Sequence, residues 1–108
     1  IPLQCEYFAL EGLILLLSTL KKIQADLNPS LRIGGILFTM YDKRTNLANE
    51  IVQEVTSYFK DKVFRTIVPR NVRISEAPSH SQPINLYDPS CIGAVSYEKL
   101  AQEVISHV

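Results

Sequence analysis

Ile36-Leu37-Phe38 sets three large apolar residues in a row between two long segments whose apolar residues recur at helical spacing. A strand with one wet face alternates apolar with polar, so an unbroken apolar run suits a parallel strand covered on both faces. That pattern constrains the fold more than any other feature of the chain. The run belongs to a strand expected over Ile33 to Met40, with Gly34-Gly35 at its opening. Ahead of it, Leu13, Leu16, Leu17, Leu20, Ile23 and Leu27 predict a helix over Phe8 to Leu27, closed by Asn28-Pro29 because proline disfavours helical geometry in the residue before it. Leu10, Ile14 and Leu15 widen its stripe beyond what one sheet face needs, so the helix is expected to touch something on a second side.

The same alternation runs through the rest of the chain. Ile1 to Gln4 reads as the last piece of a strand. A second helix is expected over Leu47 to Lys60, capped by Thr45 or Asn46, with Leu47, Ile51, Val55, Tyr58 and Phe59 on one side. Val63 to Val68 follows as a strand ended by Pro69. Pro69 to Cys91 holds Pro69, Pro78, Pro83 and Pro89 and reads as a long irregular stretch, with room for a helical turn near Ser75 to Ala77. A last helix spans Gly93 to Ser106, with Tyr97, Leu100, Ala101, Val104 and Ile105 as its stripe. Strand and helix in alternation predict an α/β layered, mostly parallel sheet with right-handed crossovers. In such sheets ligands bind at the carboxyl ends of strands, here Gln4 to Phe8, Tyr41 to Asn46, and Pro69 to Ala77.

The 108 residues suffice for one compact domain and not for two, and a hydrophobic share of 46% argues against disorder. The longest apolar stretch, Leu13 to Leu17, is too short for a bilayer, and no secretory signal pattern is present. The chain begins Ile1-Pro2 and not with Met, so residues are expected before it. Cys5 and Cys91 form no C-x-x-C pair and read as reduced thiols of a cytosolic protein; His80 and His107 lack partners that would make either a metal ligand. Net charge is zero, but the sign is uneven. Lys43, Arg44, Lys60, Lys62, Arg65, Arg70 and Arg73 make the middle basic, while from Ile74 onward only Lys99 opposes Glu76, Asp88, Glu98 and Glu103.

No G-x-x-x-x-G-K-[ST] phosphate loop occurs, and no Ser-His-Asp or Cys-His pattern has a supporting context. The strand ends nevertheless gather polar groups suited to a ligand pocket, and Met40 and Pro69 offer apolar contact to a flat base.

Three blocks are specific beyond this generic pattern: Ile1-Pro2-Leu3-Gln4-Cys5-Glu6-Tyr7-Phe8-Ala9-Leu10-Glu11-Gly12-Leu13, Leu37-Phe38-Thr39-Met40-Tyr41-Asp42-Lys43-Arg44-Thr45-Asn46-Leu47, and Val63-Phe64-Arg65-Thr66-Ile67-Val68-Pro69-Arg70-Asn71-Val72-Arg73-Ile74-Ser75-Glu76-Ala77-Pro78-Ser79. In order and spacing they resemble the C-terminal half of the ParA/Soj family of chromosome and plasmid partition ATPases, relatives of the MinD-type ATPases. The resemblance implies a P-loop fold, of which residues 1–108 are the C-terminal part of a single domain whose phosphate-loop half lies upstream. It implies binding of ATP and Mg²⁺, a nucleotide-dependent homodimer, DNA binding without sequence preference, a ParB/Spo0J-type protein partner that stimulates hydrolysis, no membrane association, and a cytoplasmic, nucleoid-associated location. By position in the blocks, Met40, Pro69, Arg70 and Asn71 are expected to border the adenine, and Arg44 and Arg73 to face DNA, both on loops leaving one side of the sheet. The catalytic and metal-binding groups are expected outside these residues, so the chain alone is expected to hydrolyse no ATP. A cargo-positioning ATPase of the same superfamily and a non-enzymatic interaction module are the alternatives.

Overall fold

The computed structural model describes residues 1–107. Three parallel strands lie in the order β1 (Pro2–Gln4), β2 (Ile36–Tyr41), β3 (Val63–Pro69). Helix α1 (Ala9–Asp26) joins the first two and α2 (Asn46–Phe59) the second and third. The α/β parallel arrangement is the one the alternating pattern predicts.

β2 is the central strand, as its apolar run requires. Leu3 is in register with Phe38, and Ile36 and Phe38 are fully buried. Successive side chains of a strand point to opposite faces. Ile36 and Phe38 therefore share one face, where they join Leu3, Cys5, Leu13 of α1, and Ala48, Ile51 and Val55 of α2 in a single core. β2 begins at Ile36 and not Ile33: Gly34 and Gly35 precede the strand. Gly35 lies against the Phe64 ring so closely that a Cβ there would sit 2.4 Å from Phe64 Cε2.

Both outer helices present their residues differently from expectation. In α2 the buried positions are Ala48, Ile51 and Val55, whereas Leu47 is 40% and Tyr58 78% exposed. Close approach to the sheet selects the small Ala48, and the larger residues sit at the margins. The last helix, α5 (Ile92–His107), packs along β3; its buried residues are Gly93, Ala94 and Ser96, with Leu100 half-buried. Its expected stripe is largely solvent-facing: Tyr97, Ala101, Val104 and Ile105 are all exposed. Ser96 is tolerated inside because its hydroxyl donates to the Ile92 carbonyl at 2.8 Å. In α1 only Leu13 is fully buried, and Ile14, Leu15 and Leu16 are exposed.

The stretch between β3 and α5 is mostly helical and not irregular. It holds α3 (Val72–Glu76), a 3-10 turn (Ala77–His80) and α4 (Ile84–Tyr87). Two of its prolines permit this because they fall at element starts: Pro78 opens the 3-10 turn and Pro83 precedes α4. A proline in a first turn forfeits an N–H that has no intrahelical partner anyway. Asn71 supplies the α3 cap, its side-chain oxygen accepting from Arg73 N–H at 3.0 Å. The segment is then pinned to α5 where Ile74 meets Gly93, at which a Cβ would stand 2.4 Å from Ile74 Cδ1.

Candidate functional site at the carboxyl ends of the strands

Parallel strands deliver their carboxyl ends to one side, and two adjoining cavities open there. The first, about 490 Å³, is lined by Cys5, Glu6 and Tyr7 after β1, by Met40, Asp42, Thr45 and Leu47 around the β2–α2 turn, and by Arg70 after β3. The second, about 550 Å³, lies beside it, between the β2–α2 turn, the end of β3 and the first half of α5. Asp42 and Arg70 line both and form the wall between them.

The β2 end is irregular. Phe38 pairs with Ile67 but Tyr41 with Pro69, so β2 spends one more residue than β3 over this span. Met40 takes up the excess with φ +53°, a left-handed conformation unusual for a side chain of its kind. The kink is fixed from both sides: Arg70 N–H donates to the Tyr41 carbonyl at 2.9 Å, and the Tyr41 hydroxyl donates to Asn49 Oδ1 on α2. Strain held by surrounding bonds concentrates where a side chain must be aimed, and here the half-buried Met40 faces the first cavity.

Asp42 organises the turn that follows. Its carboxylate accepts from Arg44 Nε at 3.0 Å, Arg44 Nη2 at 2.9 Å and Arg44 N–H at 3.1 Å. The Arg44 side chain first, and its backbone N–H second, hold the Asp42 carboxyl down at about 2. Thr45 then caps α2, its Oγ1 accepting from Ala48 N–H at 3.3 Å. Across the first cavity Arg70 Nη2 stands 3.5 Å from Glu6 Oε1, both side chains more than half exposed. Burial pushes the Cys5 thiol up to about 11, so it serves as an apolar wall and not a nucleophile.

The six residues singled out in the sequence are not gathered in one place. Met40 and Arg70 share the first cavity. Pro69 lines the second. Asn71 lines neither and spends its side-chain oxygen on the α3 cap. Arg44 lines the second cavity with 82% of its side chain exposed. Arg73 lies on α3 and not on a loop, where its guanidinium sits 3.4 Å from Glu76 and 3.5 Å from Asp88. Tyr87 OH donates to the same Glu76 carboxylate at 2.9 Å, which ties α3 to α4.

Two residues of the walls have no specific role in the sequence reading. Asp42 is one of the polar residues, Asp42 to Asn46, that the sequence offers at the second strand end, and an Asx-type turn ahead of a capped helix is legible at Asp42 to Thr45. Lys99 was counted as the one base of an acidic tail. Its position three and four residues beyond Ser96 and Val95 puts it on the helix face that lines the second cavity, and that spacing was the available signal. Among the described residues no group of three or more His, Cys, Asp or Glu side chains is placed to hold a metal ion. No helix among them is long and apolar enough to cross a membrane.

The profile of the CobQ/CobB/MinD/ParA nucleotide binding domain matches residues 6–84. Among curated proteins the chain is 67% identical over 106 residues to the chromosome-partitioning ATPase Soj of Treponema pallidum (strain Nichols), covering 98% of this chain and 42% of that protein. It is 56% identical over 107 residues to the sporulation initiation inhibitor protein Soj of Bacillus subtilis (strain 168), covering 99% and 42%. It is 51% identical over 106 residues to the chromosome partitioning protein ParA of Caulobacter vibrioides (strain NA1000 / CB15N), covering 98% and 40%. The chain thus spans about two-fifths of the length of these relatives. With its parallel α/β sheet and a profile match across most of its length, the chain belongs to the CobQ/CobB/MinD/ParA nucleotide-binding domain family, in which its relatives are Soj- and ParA-type partitioning proteins.

Proposed function

We propose that residues 1–108 are the C-terminal part of a single ATPase domain in a protein that uses ATP to segregate DNA. The observation that carries this reading is the likeness, along nearly the whole chain, to proteins named as chromosome-partitioning ATPases. The geometry adds a cavity at the strand ends with the composition a purine needs. Met40, Leu47 and Tyr7 offer apolar surface; Glu6, Thr45 and Arg70 offer polar groups at its rim. In this reading the adenine lies against Met40, with Arg70 at its border and Pro69 and Asn71 shaping the turn behind it. ATP, when bound, supplies the free energy of phosphoryl transfer. These residues contribute orientation of the base and exclusion of water from its faces.

The triphosphate and Mg²⁺ are held by residues outside this chain, whose sequence contains no phosphate loop. The chain by itself therefore hydrolyses no ATP, and the intact protein does. The same reading assigns a nucleotide-dependent homodimer, DNA bound without sequence preference through Arg44 and Arg73, and a ParB-type protein that stimulates hydrolysis. Ile14, Leu15 and Leu16 on α1 are covered in the intact protein. The deciding experiment is duplex DNA binding by the full-length protein with and without ATP. Binding that needs ATP and ignores sequence is expected; binding indifferent to ATP, or none, defeats the proposal.

A further inference from the structure

The second cavity at the strand ends carries a charge pattern that the family likeness leaves unassigned. Lys43 and Arg44 stand on one wall, Lys99 on the other, and Arg70 at the end shared with the first cavity. Asp42 is the one carboxylate in the lining. Its two oxygens are taken up by Arg44, and Arg70 pairs with Glu6 at 3.5 Å, which leaves Lys43 and Lys99 without a compensating partner within ion-pair distance among the described residues. Between the cationic walls the floor is apolar: Ile67, Pro69, and the exposed Ile92 and Val95. Cations flanking an apolar strip match a nucleic-acid strand, in which phosphates alternate with the apolar faces of the sugars. Arg73 stands apart from this groove, on α3, with carboxylates on two sides.

We infer that this groove is the track for a phosphate backbone of duplex DNA, with Lys43 and Lys99 making phosphate contacts alongside Arg44 and Arg70. The inference rests on the DNA-binding reading proposed above and deepens it. It moves the contact surface from two arginines to a groove closed on its far side by α5. It also brings a lysine from the acidic end of the sequence against the basic middle. Because Arg70 and Asp42 separate this groove from the nucleotide cavity, the two ligands would share a wall.

The test is fluorescence anisotropy of a mixed-sequence DNA duplex with the full-length protein and ATP, at several salt concentrations. Lys43→Glu and Lys99→Glu are each expected to weaken binding about tenfold, uniformly across sequences, and to lower the salt slope by about 1. Lys99→Gln gives a smaller loss in the same direction. Lys62→Glu, at the opposite end of β3, makes the same change in net charge and leaves affinity within about twofold. If Lys99→Glu and Lys62→Glu behave alike, the groove is not the track, while the DNA-binding reading stands. If the unaltered protein binds no DNA with ATP, both fall. If duplex RNA displaces the DNA at lower concentration than DNA itself does, the assignment to DNA is overturned.

Discussion

The Glu103 carboxylate of α5 closes the free edge of β3 at Thr66: Oε1 accepts from Thr66 N–H at 2.9 Å and from Thr66 Oγ1 at 2.7 Å. Oε2 accepts from the neighbouring Arg65 N–H at 2.7 Å. One side chain thus satisfies two backbone donors of an edge strand and holds α5 in the position from which Lys99 meets the groove. Partial burial works against the charge on Glu103, but the Arg65 N–H, the Thr66 hydroxyl and the Thr66 N–H outweigh it, and its pKa is lowered from 4.5.

Glu103→Ala is therefore expected to destabilise the protein by about 1–3 kcal/mol, since it leaves edge donors without their charged acceptor. A carboxyl with a depressed folded pKa stabilises fully above its unfolded value and loses that contribution as pH falls through the folded one. The stability gap between wild type and Glu103→Gln should hold at neutral pH and shrink below about pH 4.5. Urea melts across pH 3–7 check this; a gap that widens in acid contradicts it.

Gly93 gives α3 its seat. Gly93→Ala drives a Cβ to within 2.5 Å of Ile74 Cγ1 as well as Cδ1, so Ile74 must leave its position. We expect a loss of about 1–3 kcal/mol, recovered in large part by the double variant Gly93→Ala/Ile74→Ala. Thermal melts of the three proteins decide it. If Ile74→Ala does not rescue, the contact is not what makes the glycine necessary.

The Asp42–Arg44 pair is exposed on its arginine side, so solvent screens it and its contribution to stability is small. Its effect on charge is larger. Asp42→Asn removes the one carboxylate of the groove lining and should tighten DNA binding several-fold with little change in melting temperature. Because Asp42 titrates at about 2, this difference between variant and wild type should stay constant from pH 5 to pH 8. Weaker DNA binding by Asp42→Asn would show that the aspartate acts by positioning Arg44.

How much of this was legible in the sequence depends on which force set each feature. The order of strands and helices followed from Ile36-Leu37-Phe38 and the leucine spacing of α1, because burial dictates period. The Thr45 cap was legible because an orphan N–H needs an acceptor. The faces of α2 and α5 were not. Both helices bury small residues, Ala48 in α2 and the Gly93-Ala94 pair in α5, and a search for large apolar stripes passes over those. The Pro69 to Cys91 stretch looks irregular by its four prolines, but Pro78 and Pro83 fall at element starts, where proline is permissive. The site was legible as strand ends and not as a lining. The extra β2 residue that turns Met40 inward leaves no mark in composition, and Lys99 reaches the groove only through the packing of α5 on β3.

Met40 provides the most direct test, being the one methionine of the chain. Labelled with ¹³C at its methyl group, the 108-residue chain yields a single methionine resonance that reports on the first cavity alone. Titration with ATP to several millimolar is predicted to move that resonance upfield, as an adenine ring stacks over the methyl. An equal concentration of inorganic triphosphate should leave it in place. A Met40 resonance unmoved by ATP, or moved as far by triphosphate as by the nucleotide, would contradict the assignment of this cavity to the base.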